Sequence, residues 1–167
     1  MSRRDEILDA AEQLLQAEGP EAMSMRRLAE ELGIRAPSLY KHVHGKEEII
    51  AALQERALRA MAAELAGAEP GVRGLATFYR RWALAHPQPY ALVTRHPLDR
   101  ARLSPGVEDA AAAPLLAAVN GDINRARALW ALAHGLVDLE LAGRFPADAD
   151  LDATWRAALD MFEPNSD

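Results

Sequence analysis

The sequence contains no cysteine, which removes disulfides and thiolate zinc sites and fits a reducing compartment. Aromatic residues make up only 5% of the chain, and β-branched residues are sparse. Little material is left for sheet, while abundant alanine and leucine favour helix. No apolar run approaches the roughly 20 residues needed to span a bilayer, and the opening MSRRDEILDAAEQ lacks the continuous apolar core of a signal peptide. A cytoplasmic, all-α protein with no membrane partner is the expectation. At 167 residues and 50% hydrophobic, the chain can bury a substantial core as one domain or two small cooperating ones.

Positive charge is also scarce, with a formal net charge of −6, and that total speaks against nucleic acid. Its distribution does not. Between Ser24 and Lys46 five bases (Arg26, Arg27, Arg35, Lys41, Lys46) face two acids (Glu30, Glu31), and a small basic face is all that phosphate contact requires.

From Asp5 to Ala17 the apolar residues Ile7, Leu8, Ala11, Leu14 and Leu15 recur with a helical period. Gly19 and Pro20 end this first helix. Ser24 suits the N-cap of MRRLAEELG, and Gly33 sits where a helix ending needs positive φ, with Ile34 as a plug beyond it. Pro37 fits the first position of a short new helix whose inner edge is Leu39 and Val43. The pattern is helix, glycine turn and short helix, a helix-turn-helix. Such a short helix, anchored by few apolar side chains and rich in donors, suits a DNA major groove. The competing reading is an exposed helix of an ordinary bundle.

The stretch ILDAAEQLLQAEGPEAMSMRRLAEELGIRAPSLYKHVHGKEEIIAAL closely resembles the DNA-binding domain of the TetR family of bacterial transcriptional regulators. The resemblance implies an all-helical homodimer on DNA, with an effector-binding and dimerisation domain at the C-terminal end. Position by position it implies that Ser24 contacts the DNA backbone, that Arg26 reads a base edge, and that Ala36, Pro37, Ser38 and Lys41 line the groove. Tyr40 and Lys46 would bind phosphate, and His42 takes a slot that often touches phosphate. Two alternatives stay open: Arg26 can pair with Glu30 four residues on, and Tyr40 can pack as a rim residue on the first helix. His42 and His44 cannot share a metal ion, because on a helix their rings point about 200° apart.

KEEIIAALQERALRAMAAELA reads as a long amphipathic helix, and GAEPG marks a boundary near residue 70. The resulting division is residues 1–46 as the helix-turn-helix domain, 47–67 as a linking helix and 68–167 as the effector-binding and dimerisation domain. Further helices are expected up to Ala85, from Pro89, over VEDAAAAPLLAAVN, DINRARALWALAHGLVDLELAG and LDATWRAALDMF, with fraying from Glu163. FYRRWALAHPQPYALV together with ALWALAHGLVDLELAGRF resembles the WHG type of C-terminal domain, with Trp130, His134 and Gly135 as the namesake residues.

Phe78, Trp82, His86, Tyr90, Trp130 and His134 are the candidates for a small-molecule effector site of unknown identity; ordinary core packing is the alternative for Trp82 and Trp130. Leu129, Leu132, Leu136, Leu139, Leu159 and Phe162 could form a homodimer face with Trp155 at its rim, or could close the domain's own core. No cofactor, no metal and no catalytic residue is expected. The function read from the sequence is a homodimeric, effector-responsive repressor on a palindromic operator. The alternative is a helical ligand-binding or scaffold protein with a relic helix-turn-helix, and an enzyme using His86, His96 or His134 is the remote third.

Overall fold

A computed structural model describes residues 2–163. Nine α-helices and no strand occur among them: α1 (Arg3–Glu18), α2 (Met25–Glu31), α3 (Ala36–Leu39), α4 (Lys46–Leu65), α5 (Val72–Ala85), α6 (Pro87–Arg95), α7 (Val107–Ala118), α8 (Ile123–Leu141) and α9 (Leu151–Asp160). The expected all-α class is therefore observed. Residues 164–167, most of the stretch expected to fray, lie outside the described residues.

Two helix starts differ from expectation. Arg35 is the N-cap of α3, so Ala36 is its first residue and Pro37 its second. α6 begins at Pro87 rather than Pro89. Both differences have one cause: the first-turn N–H groups have no intrahelical acceptor, so proline is tolerated at more than one of those positions.

The chain forms two compact units that are not collinear with the sequence. The first comprises residues 1–59 and 86–107, the second residues 60–85 and 108–167. By compactness residues 86–107 group with the helix-turn-helix, while the division expected above counts them with the C-terminal domain.

The core of the first unit joins the apolar face of α1 (Ile7, Leu8, Ala11, Leu14, Leu15) to Leu28 and Ala29 of α2, Leu39, Val43, Ile49 and Leu53. Leu92 of α6 is sealed into the same cluster. Polar groups tie these elements as well. Arg56 of α4 donates to Asp9 and Glu12 of α1, each at 2.8 Å. Gln54 of α4, only 1% exposed, donates from its amide nitrogen to the carbonyls of Leu92 (3.1 Å) and Pro97 (3.2 Å). Leu92 O belongs to the last turn of α6, whose carbonyls lack intrahelical partners, so Gln54 caps that helix from α4.

In the second unit α5 packs on α8 and α9, and α8 on α9. Tyr79 and Trp82 of α5, Leu129, Ala133 and Val137 of α8, and Trp155 and Leu159 of α9 are buried there. Trp155, expected at the rim of a dimer face, instead lies inside this unit: it is 5% exposed, and its indole N–H donates to Glu140. Leu129 and Leu159 are core residues too. What α8 leaves in the open is Trp130 (48%), Ile123 (46%) and Leu139 (42%), with Leu132, Gly135 and Leu136 half-buried.

Candidate nucleic-acid interface

The helix-turn-helix is built from short-range signals. Ser24 has extended backbone, and its hydroxyl accepts the Arg27 N–H at 3.1 Å, satisfying one orphan donor of α2. At the other end Gly33 adopts φ 62°. The Gly33 N–H then reaches Glu30 O (3.1 Å) and the Ile34 N–H reaches Ala29 O (2.9 Å), the paired bonds of a Schellman ending. Half-buried Ile34 packs against the core as the plug. A side chain larger than hydrogen would strain the Gly33 backbone, which is why glycine stands at the turn.

α3 contains four residues. Its C-terminal side continues as a turn in which Leu39 O accepts both His42 N–H (2.9 Å) and Val43 N–H (3.0 Å). Leu39 and Val43 are 0% and 1% exposed, so this segment is pinned from one side only. Tyr40 is 54% exposed, and Pro37, Lys41 and His42 are exposed with it; Ala36, Ser38 and Lys46 are half-buried. Ser24 and Arg26 are exposed at the start of α2. Tyr40 is thus not packed away. Arg26 does meet Glu30, at 3.5 Å, with side chains 88% and 57% exposed; a pair that open holds its partner weakly. Arg27 is different, because Glu18 and Glu31 both take its guanidinium, and it drops out of the free basic surface.

Sequence reasoning did not find a further constellation beside these donors. Glu48, in the first turn of α4, accepts the His44 N–H on one carboxylate oxygen (2.8 Å) and the Arg4 guanidinium on the other (3.1 and 3.2 Å). Burial alone would raise the Glu48 carboxyl, but the His44 N–H and Arg4 together hold it below its usual range. Only the spacing of Glu48 after Gly45, which suits a helix start, hinted at a capping role; Arg4 lies 44 residues away and carries no local signal.

Other carboxylates are lowered as well: Asp5 by the Ser2 N–H and hydroxyl, Glu55 by the Ser104 N–H and Arg59, and Asp152 by Arg80. Their ordinary values are 3.8 for Asp and 4.5 for Glu. A depressed native value means that the folded chain binds fewer protons in acid than the unfolded one, so the stabilisation is full above the ordinary value and disappears as pH falls through the native one. Thermal melts are expected to be flat from about pH 7 to about 5 and to fall steadily below about 4.5. A midpoint that rises on acidification would contradict this assignment.

The six expected effector residues do not share one unit. His86 and Tyr90 belong to the first, Phe78, Trp82, Trp130 and His134 to the second. Trp82 and Tyr90 are buried at 3% and 0%. Phe78 is half-buried under the Arg81 guanidinium, 4.1 Å from its ring centre, and His86 is exposed. Trp130 is neither core nor enclosed: half of it faces outward, stacked on half-buried His134 at 6.0 Å. A cleft of about 330 Å³ in the second unit is lined by Arg73, Thr77, Arg80, Asp152, Trp155, Arg156 and Leu159, none of them in the expected set. Among the described residues no cluster of His, Cys, Asp or Glu could hold a metal ion, and no helix is long and apolar enough to cross a membrane.

Residues 7–53 match the model described as bacterial regulatory proteins, tetR family, and residues 72–162 match the tetracyclin repressor-like C-terminal domain. An uncharacterized HTH-type transcriptional regulator of Mycobacterium tuberculosis, Rv0681, is 31% identical over 91% of this chain and 76% of its own. The HTH-type transcriptional repressor DrrR1 of Streptomyces coeruleorubidus is 46% identical, but only over 33% of this chain and 20% of its own length. Among solved structures, a protein of unknown function from Rhodococcus sp. RHA1 superposes with a TM-score of 0.71 at 28% identity, covering 97% of this chain and 94% of that one.

Proposed function

The chain belongs to the TetR family of bacterial transcriptional regulators, and we propose that it is a cytoplasmic, effector-responsive repressor that grips a palindromic operator as a homodimer. Membership already makes it a DNA-binding regulator and not an enzyme. The finer reading rests above all on one observation: α3 and the turn after it bury Leu39 and Val43 while Tyr40, Lys41 and His42 are exposed.

In this reading Tyr40, His42, Lys46 and Ser24 position the protein on phosphates, which carry no sequence information. Arg26 and Lys41 donate to base edges, with Ala36, Pro37 and Ser38 shaping the groove contact. Exposed Ile123 and Trp130, seven residues apart on one face of α8, support a second copy as their cover, since apolar groups on one helix face are costly to leave in water. Two recognition helices would then enter successive major grooves about 34 Å apart. Phe78, Trp82, Trp130 and His134, all of the second unit, remain the candidates for sensing the effector. α4 and Gln54 would carry the response, because that amide holds the end of α6 to the helix that follows the recognition segment. A differential affinity of about 1–3 kcal/mol between two states is enough for such a switch.

Selection of bound duplexes from a random pool tests the proposal. A recovered palindrome with half-sites one helical turn apart is expected; a pool that shows no enriched sequence overturns it. On the recovered site Lys46→Met should weaken binding to all sequences alike and lower the salt slope by about one. Arg26→Ala should instead relax preference at one base pair by about 1–3 kcal/mol, read by titrating single-substitution operators.

A further inference from the structure

A carboxylate beside a duplex repels the phosphates, and Glu48 stands two residues after Lys46 in the first turn of α4. Arg4 is equally out of place. It lies in the first turn of α1, the positive end of the helix dipole, where a cation is disfavoured. The two charges meet: both Nε and Nη2 of Arg4 bind one oxygen of Glu48, whose side chain is 18% exposed. The other oxygen holds the His44 N–H. That bond fixes the loop between α3 and α4 at the point where the bonds to Leu39 O end, and Gly45 beside it has no side chain to anchor it.

We infer that Glu48 is the latch that sets the loop carrying Tyr40 and Lys41, just before Lys46, in its DNA-reading position, and that Arg4 is a positioning residue that holds the Glu48 carboxylate in place. The inference rests on the DNA-facing reading of that loop. It assigns Arg4 an indirect role: Arg4 matters because it orients the Glu48 carboxylate toward the His44 N–H.

A double-substitution cycle on the full-length protein, with the duplex recovered by selection, separates these roles. Arg4→Met is expected to speed amide exchange at His44 and to weaken binding about tenfold, the scale of one incompletely screened charge near the phosphates. Glu48→Gln keeps the acceptor for His44 N–H and removes the charge, so it should bind at least as tightly as the parent. In the Glu48→Ala background, where no latch remains to be held, Arg4→Met should leave His44 exchange unchanged, while its direct Coulomb effect on binding adds and is the same in every background. Glu48→Ala removes the acceptor; it should bind more weakly than Glu48→Gln and speed amide exchange at His44, with Gln restoring both.

The positioning role of Arg4 is overturned if Arg4→Met leaves amide exchange at His44 at the parent's rate, or speeds it equally in the Glu48→Ala background. The latch is overturned if Glu48→Ala exchanges and binds like Glu48→Gln. Lys46→Met serves as the control: if it changes nothing, the DNA-facing reading itself fails and the inference with it. If it weakens binding while Arg4→Met fails to change His44 exchange through Glu48, only the role given to Arg4 falls. Melting curves on all variants separate loss of binding from loss of fold.

Discussion

Leu39→Ala is expected to lower the stability of the first unit by about 3 kcal/mol, the range for emptying a fully buried leucine site, and to abolish operator retardation. α3 has four residues, far below the roughly 12–15 at which a helix begins to hold itself in water. Its placement therefore depends on Leu39 and Val43, both sealed against α1 and α2. Removing the larger anchor leaves a cavity beneath the recognition segment and frees Tyr40 and Lys41 from a defined direction. Denaturant titration followed by circular dichroism reads the stability, and a gel shift reads the binding. Tyr40→Ala is the comparison: at 54% exposure it should move the midpoint little and still weaken binding. An unchanged midpoint in Leu39→Ala would show that α3 is held by something other than its buried edge.

The second large effect is expected in the other unit. Arg80→Met should destabilise it by about 3 kcal/mol, because breaking one side of a buried ion pair leaves an uncompensated charge. Glu140 is the group left behind: its side chain is 7% exposed and takes Arg80 Nε and Nη2 at 3.1 and 3.0 Å on one oxygen. Only the Trp155 indole N–H would remain to it among the hydrogen bonds described here. The double variant Arg80→Met with Glu140→Gln should recover most of the loss, since a neutral amide can still accept from the indole. All three tryptophans, Trp82, Trp130 and Trp155, lie in the second unit, so tryptophan fluorescence, excited apart from that of tyrosine, reports on that unit alone. A double variant no more stable than Arg80→Met would show that the pair's charge is not what matters.

The parts of the fold that were legible in the sequence are those encoded within a few residues. Ser24 caps α2, Gly33 makes the turn and Ile34 plugs it because caps, positive-φ glycines and their flanking apolar residues act over one helical turn. Exposure of Tyr40 and Lys41 followed from the same spacing that buried Leu39 and Val43. What was not legible depends on distant partners. Arg4 meets Glu48 across 44 residues and Arg80 meets Glu140 across 60, and charged residues carry no period that would mark such a pair. Gln54 sits on α4 as one polar residue among many, and only the approach of α6 makes it a buried cap. Trp155 looked like a rim residue on helical spacing, yet the acceptor on Glu140 draws its indole inward. Amphipathic patterning ranks faces by polarity and does not say which neighbour, from this chain or from another, will cover them.

The noncollinear packing of residues 86–107 bears on how regulators of this kind could be recombined. Grafting a foreign sensor after residue 70, where the sequence invites a cut, would discard Leu92, which fills the middle of the DNA-reading core, together with the two carbonyls that satisfy Gln54. A viable hybrid would keep α6 and the loop after it from the parent while exchanging the helices on either side, a transplant with two splice points instead of one. The same stitching makes simple fusion an awkward evolutionary route to new sensors here, and gradual substitution within the second unit an easier one.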